Sequence, residues 1–119
     1  MSKFIIHPQL ITDCKILGRI HDSHVLLHKN SAVTWFILVP ETTTLEFLDL
    51  PESLQTTLIQ QCSRIARFIR QETLSTKINF AAIGNQVPQL HLHIVGRHSA
   101  DPSWPQPVWG HLAEWRDYT

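Results

Sequence analysis

The sequence has few of the residues that mark specialised structural classes. Only two of its 119 residues are cysteine, Cys14 and Cys62. Small secreted domains that depend on disulfides carry more cysteines than this, and no secretory leader is recognisable, so we expect buried, reduced thiols and a cytoplasmic protein. No apolar run approaches the ~18 residues of a membrane span. We therefore expect no membrane partner.

Net charge is also lacking, because ten basic and ten acidic side chains cancel at pH 7. Proteins that bind nucleic acids through their overall charge carry an excess of Lys and Arg, so we expect no nucleic-acid partner. A small anionic ligand is still compatible with this composition, because it needs only local hydrogen-bond donors.

Repeats, low-complexity tracts and linkers are absent as well. A length of 119 residues suits one domain, and we expect one domain over residues 1–119. Hydrophobic residues make up 43% of the chain, which is enough for one modest core.

Alternating and continuous apolar runs predict about five strands. The segments 16–20 and 24–29 flank a polar break and indicate a hairpin, while residues 35–39 form a continuous apolar run that Pro40 ends. Residues 78–83 and 90–95 are also typical of strands, joined by a loop with Gly, Asn and Pro.

One long helix is predicted between these two groups of strands. Asp49 is positioned to cap it, with Glu52 three residues later, and the helix should end near Thr73. Its apolar face consists of residues at helical spacing: Leu54, Leu58, Cys62, Ile65 and Ile69. The order of elements favours an α+β fold, a mostly antiparallel sheet with this helix on one face and short helical segments. The tail from Asp101 to Gly110 contains three prolines and should be neither helix nor interior strand.

The most informative segment is residues 89–95, with the sequence Gln-Leu-His-Leu-His-Ile-Val. Side chains alternate between the two faces of a strand, so its leucines and Ile94 should enter the core. Gln89, His91 and His93 should then form a polar row on the other face, about 7 Å apart.

Three interpretations of this row remain open from the residues alone. It can be a solvated strand face. It can be a metal site, with a third ligand from His24, His28 or Asp22. It can also hold a nucleophilic imidazole, because a neutral histidine is a competent nucleophile near pH 7 when one ring nitrogen is free and an acceptor holds the other.

The same segment resembles the signature of the histidine-triad (HIT) family, His-φ-His-φ-His-φ-φ, where φ is apolar. His91 and His93 match the second and third histidines, the four apolar places also match, and Gln89 replaces the first histidine. The strand WFILVP, the stretch GNQVPQLH and the closing DPSWPQPVWG are similar to a bacterial branch of HIT-domain proteins often labelled hydrolases. The resemblance covers about residues 15–110, which we take as the core of the domain.

The resemblance implies an α+β homodimer that binds nucleotides and hydrolyses or transfers nucleotidyl groups, without a metal or other cofactor. The substrate would be a small nucleotide carrying a phosphoanhydride or phosphoramidate bond. On that pattern His91 attacks the α-phosphorus and forms a covalent nucleotidyl-histidine, while His93 holds the α-phosphate. Gln89 occupies a catalytic position, but an amide carries no titrating proton.

Four further residues are candidates for substrate binding. By the resemblance, Asn85 and Asn30 lie where family members contact phosphate or ribose, and Trp35 replaces a further histidine that many members carry. Trp109 can line the nucleotide pocket or fix the tail to the body of the protein. The substitutions at Gln89 and Trp35 also leave an alternative open, a nucleotide-binding or sensing module that has lost turnover. The other histidines are expected at the surface or in individual hydrogen bonds.

Overall fold

A computed structural model describes residues 3–119 of the chain. In chain order its elements are α1 (Pro8–Asp13), β1 (Cys14–Ile20), β2 (Ser23–His28), β3 (Thr34–Pro40), a 3-10 turn (Phe47–Asp49), α2 (Glu52–Glu72), β4 (Lys77–Ala81) and β5 (Leu92–Arg97).

The five strands form one sheet in the order β1-β2-β3-β5-β4, and every neighbouring pair is antiparallel. The long helix α2 packs on one face of this sheet. The expected α+β class, with about five strands and one long helix, is confirmed. No helix within residues 3–119 combines the length and the hydropathy needed to cross a bilayer.

Both faces of the sheet are buried, but against different layers. On one face the apolar side of α2 meets alternate residues of the central strands, among them Leu38, Leu92 and Ile94. On the other face the core contains Leu10 of α1, Val108 of the tail and the residues of opposite parity in the strands, such as Trp35 and Ile37. The period of two in the strands thus assigns each side chain to one of two layers.

The start of α2 differs from the prediction. Pro51 occupies the N-cap position, no side chain caps the helix, and Asp49 lies in the preceding 3-10 turn. Leu50 separates the two with an extended backbone, φ −71° and ψ 154°, so the capping box cannot form. The predicted end is confirmed, because Thr73 is the C-cap residue.

The connection between β4 and β5 is longer than the predicted hairpin. β4 ends at Ala81 rather than at residue 83, and β5 begins at Leu92 rather than at residue 90. Gly84 has a positive φ of 61°, and the N–H of Gln89 donates to the carbonyl of Val87, so the chain turns twice before it enters the sheet. His91 therefore immediately precedes β5.

The C-terminal tail, residues 101–119, is held to the sheet by polar contacts. Residues 101–110 form turns, as the prolines predicted. Arg97 of β5 is 1% exposed, and its guanidinium donates to both carboxylate oxygens of Asp101 at 2.7 and 3.0 Å. Further along, the backbone carbonyls of residues 114, 116 and 117 accept hydrogen bonds from the side chains of Asn30 and Ser31, and the N–H of Arg116 donates to Oδ1 of Asn30.

Cys14 and Cys62 are unpaired and buried, as expected. They lie in the two different core layers, and burial raises the pKa of each thiol to about 12.

Candidate active site

The face of the sheet opposite α2 carries a cavity of about 550 Å³, which we call the histidine cavity. Its floor is formed by strand residues and its walls by α1, the loop 83–87 and the tail. The sequence-predicted residues on its lining are His91, His93, Trp35, Trp109, Asn85 and Asn30. Small-molecule sites have volumes of roughly 300–1,000 Å³, so this space has the size of a small-molecule site.

His91 is 6% exposed, and its Nδ1 lies 2.7 Å from the backbone carbonyl oxygen of Gln89. A carbonyl can only accept, so Nδ1 carries the proton of the neutral ring. The Nε2 atom of His91 is then left with a free lone pair. This is the arrangement that nucleophilic attack by an imidazole requires.

His93 has the opposite tautomer. The indole Nε1 of Trp35 donates to Nδ1 of His93 at 3.0 Å, and both side chains are buried. The proton of His93 must therefore sit on Nε2, where it can be donated to an anion. Burial, followed by the neighbouring His91 and His28, lowers the pKa of His93 to about 3. The rings of His91 and His93 have centroids 5.0 Å apart.

A third imidazole in the cavity, that of His28, stacks on the indole of Trp35. The two ring centroids are 4.3 Å apart with an interplanar angle of 12°. The Nδ1 of His28 accepts from the backbone N–H of Asn30 at 3.1 Å, so His28 also carries its proton on Nε2. Burial lowers the pKa of His28, and the carboxylate of Asp13 opposes this shift.

Trp109 closes the cavity from the tail. The centroid of its ring lies 5.1 Å from that of His93 and 5.9 Å from that of Trp35, and in both pairs the ring planes are nearly perpendicular. Within residues 3–119 its buried Nε1 atom has no hydrogen-bond partner. An unpaired buried donor costs about 1–3 kcal/mol, so packing against His93 and Trp35 must hold the indole in place.

Gln89 does not share the cavity with the two histidines. Its Oε1 accepts from the N–H of His7 at 2.8 Å and its Nε2 donates to the carbonyl of Ile5 at 2.9 Å. The side chain thus fixes the N-terminal segment in a neighbouring groove. The expected polar row of three is wrong at this position, because the chain turns at residues 87–89 and strand alternation begins only with β5.

The two asparagines differ in what they can offer a ligand. Asn85 is exposed at the rim of the cavity. Asn30 is 4% exposed and most of its amide is engaged: Oδ1 accepts from the N–H groups of Ala32 and Arg116, and one N–H of Nδ2 donates to the carbonyl of Glu114. Asn30 therefore mainly shapes the wall and has only the second N–H of its amide left to offer a ligand.

Sequence reasoning missed Trp115 and gave His28 only as a possible metal ligand, although both line the cavity. A signal for His28 was present in the alternation of His24, Leu26 and His28, which puts all three on one face of β2. Its use required the pairing of β2 with β3, where Leu27 is opposite Phe36 and so brings His28 beside Trp35. The metal interpretation of His91 and His93 finds no third ligand, since residues 3–119 contain no group of three His, Cys, Asp or Glu side chains that could hold an ion.

The fold and the site define an α+β protein in which two buried imidazoles of opposite tautomer, those of His91 and His93, share one cavity. A sequence model of the HIT domain matches residues 10–100. The chain belongs to the HIT family, as its sequence predicted. No curated protein sequence matches it.

Three solved structures of bacterial histidine triad proteins are similar over nearly the whole chain. The protein from Bradyrhizobium japonicum is 36% identical with a TM-score of 0.92, and the similarity covers 99% of this chain and 88% of that one. The protein from Marinobacter aquaeolei VT8 is 37% identical with a TM-score of 0.91, covering 99% and 86%. The protein from Sinorhizobium meliloti 1021 is 31% identical with a TM-score of 0.91, covering 98% and 86%.

Proposed function

We propose that the protein is a nucleotide hydrolase or nucleotidyl transferase that works through a covalent nucleotidyl-His91 intermediate. The observation that carries the proposal is the hydrogen bond from His91 Nδ1 to the Gln89 carbonyl, which leaves Nε2 as the nucleophilic atom. Membership of the HIT family supports it.

The reaction divides into two displacements at the α-phosphorus. In the first, the lone pair of His91 Nε2 forms a P–N bond, and the bond from phosphorus to the leaving group breaks with its electron pair on the leaving group. In the second, water or another acceptor attacks phosphorus, the P–N bond breaks and its electron pair returns to Nε2, while the attacking group releases its proton to solvent. Positioning and charge stabilisation carry both steps, so no cofactor is proposed.

The Nε2–H of His93 is the donor we assign to the phosphate oxygens. Such a preorganised donor stabilises the charge that develops in the transition state. The aromatic wall of Trp35 and Trp109, with Asn85 at the rim, would contact the nucleoside. The free thiols of Cys14 and Cys62 agree with action in the reducing cytoplasm.

The test is intact-mass analysis after brief incubation with adenosine polyphosphates or adenosine phosphoramidate, together with product analysis. We expect an added nucleotidyl mass and turnover for the wild type, and neither for His91→Ala. His98→Ala is the matched control, because His98 lies outside the cavity, and it should behave as the wild type. Equal turnover by His91→Ala and the wild type would exclude His91 as the nucleophile.

A second candidate function is nucleotide binding without turnover. The specific observation that favours it is the position of Gln89, whose side chain is directed to the N-terminal segment and brings no titratable group to the cavity. Calorimetric titration with adenosine monophosphate decides between the two when it is combined with the turnover assay. Binding with neither product nor adduct would establish this alternative.

We also propose that the protein forms a homodimer. β4 lies at an edge of the sheet, where its backbone is unpaired on one side. Beside it, Phe80 of β4 is 47% exposed and Ile59 of α2 is 40% exposed, and the two line one groove between strand and helix, which forms an apolar surface that a second copy would cover.

The oligomeric state tests this surface directly. We expect light scattering to give the mass of two chains for the wild type and of one chain for Phe80→Lys. Leu48→Lys is the control, since Leu48 is 81% exposed but lies in the 3-10 turn. A wild-type monomer at micromolar concentration, or a Phe80→Lys dimer, would contradict the proposal.

A further inference from the structure

The three imidazoles of the histidine cavity have their Nδ1 atoms committed to fixed partners. Nδ1 of His93 accepts from the indole of Trp35, Nδ1 of His28 accepts from the N–H of Asn30, and Nδ1 of His91 faces a carbonyl oxygen. These contacts decide which ring can carry a second proton and therefore which ring can act as an acid.

We propose that the site reacts efficiently only with substrates whose leaving group departs without taking up a proton, as a phosphoanhydride does, and that Trp35 sets this preference through His93. This inference rests on the proposed nucleotidyl transfer and names its substrate class.

His93 cannot become an imidazolium while Trp35 stays in place. A protonated ring has N–H groups at both nitrogens, so Nδ1–H would point at the indole N–H 3.0 Å away and the hydrogen bond would become a clash of two donors. Burial acts in the same direction, because His93 is 6% exposed and a charge there would lose its hydration. His93 can thus donate a hydrogen bond but cannot transfer a proton near pH 7.

The other titratable groups on the cavity wall do not replace it. His28 is held neutral by the backbone N–H of Asn30 in the same way. His91 must be neutral to attack. Both carboxylate oxygens of Asp13 act as acceptors for the side-chain amide of Gln9, at 3.0 and 3.1 Å. The position where the triad has its first histidine is occupied by an amide that faces another groove.

The consequence depends on the bond that breaks. When an α-phosphorus bears an anhydride, the leaving group is a phosphate that is stable as an anion, and it needs no proton as the electron pair moves onto its oxygen. When phosphorus bears an amine, nitrogen must gain a proton before or during P–N cleavage. General acids contribute about 10²–10⁴-fold to such steps, so their absence should slow amine departure by at least that order.

The experiment measures the rate at which the His91 adduct forms from three adenosine 5′-phosphoryl compounds at pH 7. Adenosine diphosphate releases phosphate, the 4-nitrophenyl ester releases nitrophenolate, and adenosine phosphoramidate releases ammonia. All three leave the same adenylyl group on His91, so differences report the leaving group. We expect the two anionic leaving groups to react at least about 100-fold faster than the amine. The ratio of amine to anhydride rates should rise about tenfold for each unit that pH falls, because the proton must come from solvent.

Trp35→Phe tests the part assigned to the indole. It removes the N–H donor and leaves Nδ1 of His93 open to a proton, so the ratio of amine to anhydride rates should increase and lose part of its pH dependence. Trp104→Phe is the matched control, because Trp104 lies against Arg97 outside the cavity, and its ratio should be that of the wild type.

The outcomes separate this inference from the proposed function. Three results together support the inference: the adduct forms from the compounds with anionic leaving groups, it forms slowly from the phosphoramidate, and the ratio of amine to anhydride rates increases in Trp35→Phe. An adduct that forms from the phosphoramidate as fast as from the diphosphate overturns it and leaves the proposed function intact. No shift of the ratio in Trp35→Phe overturns the role of Trp35. No adduct from any of the compounds overturns the proposed function and the inference with it.

Discussion

Gln89 occupies the position of the first motif histidine, but its side chain makes different contacts from those of His91 and His93, which line the cavity. Its backbone carbonyl orients His91, whereas its side chain bridges to residues 5 and 7. The backbone contribution is independent of residue type, so His91 keeps its orientation although the first histidine of the motif is absent. The side chain is then free to fix the N-terminal segment.

Gln89→Ala should therefore affect stability more than catalysis. Two hydrogen bonds to the backbone of residues 5 and 7 are lost, and at about 1 kcal/mol each the free energy of unfolding should fall by about 1–2 kcal/mol. Urea denaturation measures this loss, and Gln60→Ala, at an exposed position of α2, should change little. Unchanged stability combined with a large fall in kcat would show that Gln89 acts in the chemistry instead.

The sequence predicted the residues of the site better than their partners. Alternation placed Leu92 and Ile94 in the core and His93 on the opposite face, because these residues lie within β5. The hydrogen bond between Trp35 and His93 could not be predicted in this way. It depends on which strands pair and in which register, and periodicity within one segment carries no information about its neighbour.

At the scale of elements, α2 and β5 are held close together by a residue without a side chain. Gly96 lies where β5 passes beneath the end of the helix. A Cβ atom at Gly96 would lie 2.2 Å from Ser75 Oγ and 2.6 Å from Ile69 Cγ2. Helix and strand can therefore approach at this point only because residue 96 is glycine.

Gly96→Ala should destabilise the protein by about 1–3 kcal/mol, because either the helix end or the strand must shift. The change should appear as a lower midpoint of thermal or urea unfolding. Gly18→Ala is a sharp control within the same sheet, since a Cβ there meets nothing within 4 Å. Equal stabilities for the two variants would mean that the contact between α2 and β5 relaxes without cost.

The end of α2 was predictable because one apolar periodicity stops there, whereas the ends of β4 and β5 were not, because strand-forming residues and turn-forming residues are mixed between them. The apolar periodicity of α2 ends at Ile69, and the helix ends three residues later. The sequence predicts a shorter loop than the observed residues 82–91, because Ile83 and Leu90 are residue types that favour strands. Gly84 and the turn at residues 87–89 prevail over that preference, since a positive φ and a reversal of the chain cannot be accommodated in a strand.

At the scale of the whole molecule, buried neutral histidines make stability depend on pH. The pKa of His93 is about 3 in the folded protein and near 6.5 in the unfolded chain. Between these values the unfolded chain binds a proton that the folded protein does not, so the free energy of unfolding falls as pH falls below 6.5. Above pH 6.5 both states are neutral at this residue and the effect vanishes.

His93→Asn should remove this contribution, because asparagine offers an acceptor to Trp35 and does not titrate. One pKa unit corresponds to about 1.4 kcal/mol, so from pH 6.5 to pH 5 the wild type should lose about 2 kcal/mol more than the variant. Urea denaturation across this range measures the difference, and carboxylates contribute little to it because they titrate below pH 5. Parallel curves would indicate that His93 is protonated in the folded protein.

The engagement of Asn30 has a practical consequence for anyone who shortens this chain. Three of its hydrogen bonds reach the backbone of Glu114, Arg116 and Ala32, and two of the three partners belong to the last six residues. A protease that cleaves after Ala113 would remove Trp115 from the lining of the cavity. It would also leave the buried amide of Asn30 without two of its hydrogen-bond partners. Recombinant preparations should therefore be checked for ragged C-termini before their ligand affinities are compared.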